Sequence, residues 1–495
     1  MRVTKRILCL LLGLLLVAAA LSACGGKKKD PDKGTEPATK ANDPAADPAT
    51  RDDLDARYNF NTEYYILSRE ETNYEFYTEA GASGSVVEKA VFDRNEVVMD
   101  RCAVDIGIQS LKGGWYDKEP FITRVRNNSL ENTSRFDLIA THSVYLMSLA
   151  LEGLGTDFSR LPNIDLSKRW WSEQYYNDVN YNGALYVAVG DIGYTVYEYL
   201  MVIFYNEKMA NALGVEDLYD VALEGDWTFE RLREAVNLVS TDLESETPTY
   251  GFLANGHGVR AFGNAFGLDI LPLENGTRDF PLEIPVTLLD PMQEIVDFVR
   301  ETTAVRYDGG NTEIYRNNST GVQNPLFISG RSLFYQQMLG QAVYFKAEME
   351  DSYGVIPYPK YNDDQIGYLS AYCDDLTGVM VPKNIKNADV TGTVTEMLCM
   401  ESYRRVTNAY YESVLKTRAF NDPRCRESLE IIRSSLSPTF VVAYSDYLGT
   451  PSSILNNVVQ SNGKSTLSTY WAENATRWEG KLYDLFEALE TIAAK

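Results

Sequence analysis

Histidine is almost missing from this chain. His142 and His257 are the only two in 495 residues, so a serine–histidine–acid relay would have to use one of them. Neither G-x-S-x-G nor H-E-x-x-H occurs, and there is no Walker A loop and no G-x-G-x-x-G after a strand. These absences remove the usual signatures of serine hydrolases, zinc proteases and nucleotide-binding proteins. None of the six cysteines stands in a C-x-x-C pair, so no metal signature is present. Cys102, Cys373, Cys399 and Cys425 are scattered and fit either one or two disulfides or four buried free thiols. Cations are scarce too: 46 Lys and Arg face 70 Asp and Glu, for a net charge of −24. Such a body repels nucleic acid and anionic lipid, and its charge favours solubility. No catalytic residue, metal or cofactor is therefore assigned. Paired carboxylates such as Asp374 and Asp375 leave a glycosidase dyad open on composition, although neighbours on a strand point to opposite faces.

Long apolar runs are missing as well. A membrane-spanning helix needs roughly 20 apolar residues, and the longest stretch here, Ile7 to Leu21, is shorter. It follows the basic residues Arg2, Lys5 and Arg6 and closes in Leu21-Ser22-Ala23-Cys24, the layout of an export signal. Leu21-Ser22-Ala23-Cys24 resembles the lipobox of bacterial lipoproteins. That resemblance implies a signal peptide over residues 1–23 and a diacylglycerol on Cys24. It places the protein on the extracellular face of a bacterial, Gram-positive-type membrane. Without residues 1–23 the chain loses three cations and carries −27. Residues 24–57 hold Pro31, Pro37, Pro44 and Pro48 and little to bury, so they read as a flexible tether.

From Tyr58 the composition turns globular. Residues 63–68 read as a strand, Val87, Ala90, Val91, Val98 and Cys102 recur at helical spacing, and residues 104–110 alternate as a strand does. A short apolar run at 135–141 leads into an apolar helix at 144–151. Strand, helix, strand, helix predicts an α/β fold with largely parallel sheets. Further strands are expected at 183–191, at 198–206, which is apolar throughout its centre, and at 249–256. Residues 226–240 predict a helix capped by Thr228. A turn is expected at Ser329-Gly330, a proline-broken strand at 352–363 and a strand ended by Pro382 at 376–384. Beyond Asn387 the pattern is helical almost to the end, and no internal repeat occurs.

The order of "FDLIATHS" (136–143), "GALYVAVGD" (183–191), "FYNEKM" (204–209), "DWTFERL" (226–232), "FISGRSLFY" (327–335), "YGVIPYP" (353–359) and "GVMVPKN" (378–384) resembles the maltose-binding-like, sugar-type solute-binding proteins of ABC importers. The proline that usually opens the fourth element is absent here. The resemblance spans roughly residues 60–490. It implies a two-lobed, type II periplasmic-binding-protein-like fold. Each lobe is then a mostly parallel sheet flanked by helices, and a multi-strand hinge joins the two. Residues 58–198 and 360–412 would form the first lobe, and 199–359 and 413–495 the second, with insertions near 152–182 and 270–325. It also implies a carbohydrate ligand, an oligosaccharide by expectation, bound by a monomer between the lobes and handed to ABC permease subunits. The rival expectations are a surface-anchored glycoside hydrolase and a carbohydrate-binding lipoprotein without a transport role.

Tyr, Phe and Trp number 33, 19 and 6, enough to supply both a core and flat platforms for sugar rings. In α/β sheets ligands sit outside the carboxyl ends of strands, which singles out particular loops. The first strand is followed by Arg69, Glu70 and Thr72, and the 135–140 run by Thr141, His142, Ser143 and Tyr145. Asp191, Tyr194 and Tyr197 follow the expected strand at 183–190, and Asn255 and His257 follow 249–254. Tyr335 and Gln336 lie near the Gly330 turn, and Tyr372, Asp374 and Asp375 follow the 353–359 segment. Asp191 heads the expected ligand-binding set of Glu70, Thr72, His142, Tyr145, Asp191, Tyr194, Asn255, His257, Tyr335, Gln336, Asp374 and Asp375. Arg169-Trp170-Trp171 reads either as a sugar platform or as a packing plug, with the plug preferred, and Trp471 either as a cleft or a core residue.

Overall fold

The computed structural model describes residues 47–130, 134–274, 276–308, 323–420, 422–437 and 439–494, with backbone alone at 416–419. The expected signal peptide, the lipidation site Cys24, the first part of the tether and residues 309–322 of the second insertion lie outside the described residues. Among the described residues no helix is long and apolar enough to cross a membrane. Residues 48–57, expected to end the tether, lie against the body instead. Asp52 is buried and pairs with Arg101 at 2.7 Å and Arg404 at 3.3 Å, and the Lys168 ammonium donates to the Pro48 carbonyl at 2.8 Å.

Two sheets organise the rest. The first has the order β2-β1-β3-β9, built from β1 (Thr62–Arg69), β2 (Val104–Leu111), β3 (Leu138–His142) and β9 (Thr377–Met380). The second has the order β6-β5-β7-β4-β8, from β4 (Met201–Asn206), β5 (Tyr250–Asn255), β6 (Val305–Asp308), β7 (Ser332–Met338) and β8 (Tyr353–Ile356). All six residues of β4 and of β5 are buried, as strands covered on both faces require. β1 pairs in parallel with β2 and β3, and β9 runs antiparallel to β3. The second sheet is evenly mixed, with β5 parallel to β6 and β7 but β4 antiparallel to β7 and β8. The expectation of largely parallel sheets therefore fails in the second. β4, β8 and β9 are the strands by which the chain passes between the sheets, and a strand arriving from the other sheet runs against its neighbours.

The principal helices are α1 (Val86–Cys102), α2 (Glu119–Leu130), α3 (Ser143–Leu151), α4 (Phe229–Asn237), α5 (Gly256–Ala265), α6 (Val286–Glu301), α7 (Ala388–Glu401), α8 (Cys425–Ser434), α9 (Ile454–Gln460) and α10 (Leu467–Ala493). Ser85 and Glu88 form a capping box at the start of α1, and Thr228 caps α4 through the Arg231 N–H. Much of the aromatic content is core. Phe229, Phe252, Phe262 and Phe298 interlock across the second sheet with ring centroids 5.3–6.2 Å apart. Between α7 and α8 the helical chain continues as π-helix over Ser402–Thr407 and Ala409–Ala419, an unusual length for that winding.

The expected strand at 183–191 is absent. From Leu185 to Asp191 that segment is buried, but it makes only single bridges, including Trp171 to Gly190 and Ala188 to Val379. Trp170 and Trp171 are 1% and 4% exposed, and each indole N–H donates to Glu396 at 2.8 Å, so the pair packs as a plug. Trp471 is fully buried and donates to the Pro281 carbonyl at 2.9 Å. Cys102, Cys373, Cys399 and Cys425 are all buried free thiols.

Candidate functional site

The carboxyl ends of strands from both sheets meet around a cavity of about 340 Å³. Trp115 and Tyr116, which follow β2, line it together with Val144 at the start of α3. Gly256, His257 and Arg260 of α5 line it from the second sheet. Asp374 and Asp375 lie on the crossing from β8 to β9 and form its floor, while Asp446, Asn456 and Gln460 close it from the C-terminal segment.

The Trp115 loop is held by its glycines. The Gly113 and Gly114 N–H groups donate to the Glu71 carboxylate at 3.2 and 3.1 Å. A side chain at position 113 would bring its Cβ to 2.8 Å from the Arg69 Cβ, so only glycine lets the loop pass. The two aromatics then project outward, 38% and 45% exposed. The Lys118 ammonium sits 4.0 Å from the Trp115 ring centroid and 3.2 Å from Asp446. A cation on one face of the indole helps hold the ring in place.

Below the platform, buried Arg69 ties the first sheet to the crossing. It donates to the Thr72 hydroxyl at 2.8 Å, to His142 Nε2 at 2.6 Å and to the Asp375 carbonyl at 2.5 Å. Because Nε2 accepts, the His142 proton resides on Nδ1, 3.3 Å from the Asp375 carboxylate. Burial, reinforced by Arg69, pushes His142 below its ordinary range and keeps it neutral. Burial alone would raise the Asp375 carboxyl, but the facing His142 imidazole and the Arg69 guanidinium outweigh it and hold it low. Arg260 clamps Asp374 with bonds of 2.7 and 3.0 Å, and it likewise outweighs burial there. Arg260 also donates to His257 Nδ1, which lies 3.2 Å from the Cys373 sulfur. His257, Cys373 and Asp374 bring their ligand atoms within 4.8 Å of one another, as metal ligands do. The cation among them is the Arg260 guanidinium, and burial pushes the Cys373 thiol far up, which disfavours the thiolate a metal needs.

Of the residues selected from strand ends, His257, Asp374 and Asp375 line the cavity. His142, Thr72 and Tyr145 stand behind the wall. Thr72 and His142 bond Arg69, and the Tyr145 hydroxyl meets Thr141 at 2.8 Å and the Gly113 carbonyl. The others do not line it. Glu70 is exposed on a short 3-10 turn. Asp191 is 3% exposed and accepts from the Tyr197 hydroxyl at 2.7 Å and from Thr407, so its polar capacity is used inside the protein. Burial pushes its carboxyl up to about 6. Tyr194 packs between Tyr74 and Tyr410. Asn255 caps α5 through the Gly258 N–H, its Nδ2 donates to the Gln336 carbonyl, and the Nε2 of fully buried Gln336 donates back to the Asn255 carbonyl. Tyr335 packs on Phe327 and Phe345 and donates to Asn324 at 2.6 Å. Trp115, Tyr116 and Arg260 were not selected. The rule that picked the other loops applies equally to the Gly-Gly-Trp-Tyr stretch after β2 and would have found the first two.

No family model matches the sequence, and no curated protein matches it. The fold is that of solved solute-binding proteins. The ABC substrate-binding protein Lmo0181 from Listeria monocytogenes, in complex with cycloalternan, aligns over 86% of this chain and 99% of its own, with 14% identity and a TM-score of 0.55. The GacH receptor of Streptomyces glaucescens, solved unliganded and with acarbose, aligns over 86% and 99% with 14% identity and a TM-score of 0.54. A solute-binding protein from Agrobacterium radiobacter, in complex with ribitol, aligns over 86% and 100% with 14% identity and a TM-score of 0.52. Two lobes, each an α/β sheet flanked by helices, are common to them and to this chain.

Proposed function

We propose that this protein is the substrate-binding receptor of an ABC importer and that it captures a neutral carbohydrate, an oligosaccharide in the first instance. The observation that carries the reading is the cavity between the two sheets, floored by the crossing and walled by the outward-facing Trp115 and Tyr116. Flat rings match the C–H faces of a sugar, and the carboxylates beside them match its hydroxyls. The sugar and sugar-alcohol complexes of the similar folds support the same class. The lobes, over 58–198 with 360–412 and 199–359 with 413–495, close about the crossings. A ligand that binds the closed form more tightly shifts the population toward it, and permease subunits read the closed pair. Cys24, lipidated after removal of residues 1–23, anchors the monomer at the outer face of the membrane.

No bond is broken in this reading. A glycosidase needs one protonated and one ionised carboxyl flanking the scissile bond, whereas Asp374 and Asp375 are both held ionised by their neighbours. Thermal-shift screening and calorimetry with neutral mono- and oligosaccharides test the proposal. A saturable rise in melting temperature without release of reducing sugar is expected. A panel in which only peptides or polyamines raise it overturns the carbohydrate assignment. Palmitate labelling of the wild type, lost in Cys24→Ala, tests the anchor.

A further inference from the structure

One face of α5 runs past the main cavity into a second one. His257, Arg260, Ala261 and Asn264 stand at i, i+3, i+4 and i+7 along the helix and so share one face. The first two border the polar cavity. All four line a smaller cavity of about 70 Å³ that shares His257, Arg260 and Asp374 with it. The far walls are largely apolar, with Met292, Val441, Ile454 and Leu455. A single water needs about 10–15 Å³, so this side cavity has room for a small organic group. Asn264 is among the lining residues, and its Nδ2, screened from solvent, makes no hydrogen bond among the described residues. A buried donor without an acceptor is costly, and an acceptor arriving with a ligand relieves that cost.

We propose that the captured sugar carries an N-acyl substituent of the acetamido type and that the side cavity receives it. The methyl group packs against Ala261, Ile454 and Leu455. The acyl oxygen accepts from Asn264 Nδ2, and the amide N–H donates to Asp374, the carboxylate common to both cavities. An acetamido group joins a small apolar end to one acceptor and one donor, the combination these walls present. A plain hydroxyl in the same place would leave the apolar wall uncovered. The inference rests on the reading of the larger cavity as a carbohydrate site.

Calorimetry on the purified protein tests it. N-acetylglucosamine, N-acetylgalactosamine, N-acetylmannosamine and diacetylchitobiose are each compared with the parent sugar lacking the acetamido group. At least one acetylated member should bind tenfold or more tightly than its parent. Asn264→Leu should erase that difference while leaving the parent's Kd within about twofold, since a buried unpaired donor is being removed. The unaltered protein supplies a measurement independent of the variant's folding: an N-hexanoyl analogue outgrows the 70 Å³ cavity and should lose the gain. Equal affinity for acetylated and parent sugars, an equal loss of both in Asn264→Leu, or hexanoyl binding as tight as acetyl overturns the inference and leaves the receptor reading standing. If no sugar of either kind binds, the receptor reading fails and the inference with it.

Discussion

Glu396 shows how a single buried carboxyl sets a pH response. It is 2% exposed, and it accepts from two indoles and from the Asp165 N–H. Burial nevertheless pushes its pKa from the ordinary 4.5 up to about 8. A raised carboxyl favours folding when protonated, so its contribution is complete below about pH 4.5 and drains away as the pH rises through about 8. Melting temperature should therefore fall between pH 5 and 8, by on the order of a few kcal/mol of stability. Glu396→Gln should start lower, because one indole loses its acceptor, and then show a flatter profile; a slope as steep as the wild type's would discount the assignment. Trp115 is the opposite case, 38% exposed and touching the core through the Tyr145 ring, 6.5 Å away. Trp115→Ala should weaken sugar binding by about 2 kcal/mol, roughly thirtyfold, with little change in melting temperature. Calorimetry and thermal unfolding of the same sample separate the two effects.

Among the elements, α5 is tightly specified. A Cβ at Gly258 would lie 2.1 Å from the Gln336 side chain, which is fully buried and bonded to the Asn255 carbonyl. Gly258→Ala should cost more than about 2 kcal/mol in denaturant unfolding; a loss within a few tenths would mean the helix shifts freely. Strands such as β4 and β5 were legible because their apolar runs end at asparagine, with a glycine after β5. The 183–191 segment misled for a related reason. Its run is apolar because it is buried, and burial alone does not report pairing with neighbours. The π-helical stretch after α7 was invisible, since hydrogen bonding one residue further on leaves the apolar pattern nearly unchanged. The strand-end rule reached His257, Asp374 and Asp375 but overreached at Asn255 and Gln336, whose polar groups satisfy the helix cap and main chain around them. The wall from Ser445 to Gln460 could not be read at all, because only the tertiary fold brings that distant segment to the cavity.

At the scale of the molecule, two sheets joined by crossings and a cavity between them predict a change of shape on binding. Small-angle scattering should show a smaller radius of gyration once a bound sugar is added; identical curves would argue for a rigid scaffold. The charge distribution predicts something less expected. The chain carries −24, yet two of the carboxylates lining the cavity face a cation, Asp374 meeting Arg260 at 2.7 Å and Asp446 meeting Lys118 at 3.2 Å, while Asp375 meets the neutral His142 imidazole at 3.3 Å. Short-range pairs of this kind are screened far less than the diffuse surface field. Affinity for an uncharged sugar should then stay constant within about twofold from low salt to 0.5 M sodium chloride, as titrations along that series would show. On the proposed reading, capture would then be blind to the salinity of the surroundings and would follow the ligand's concentration.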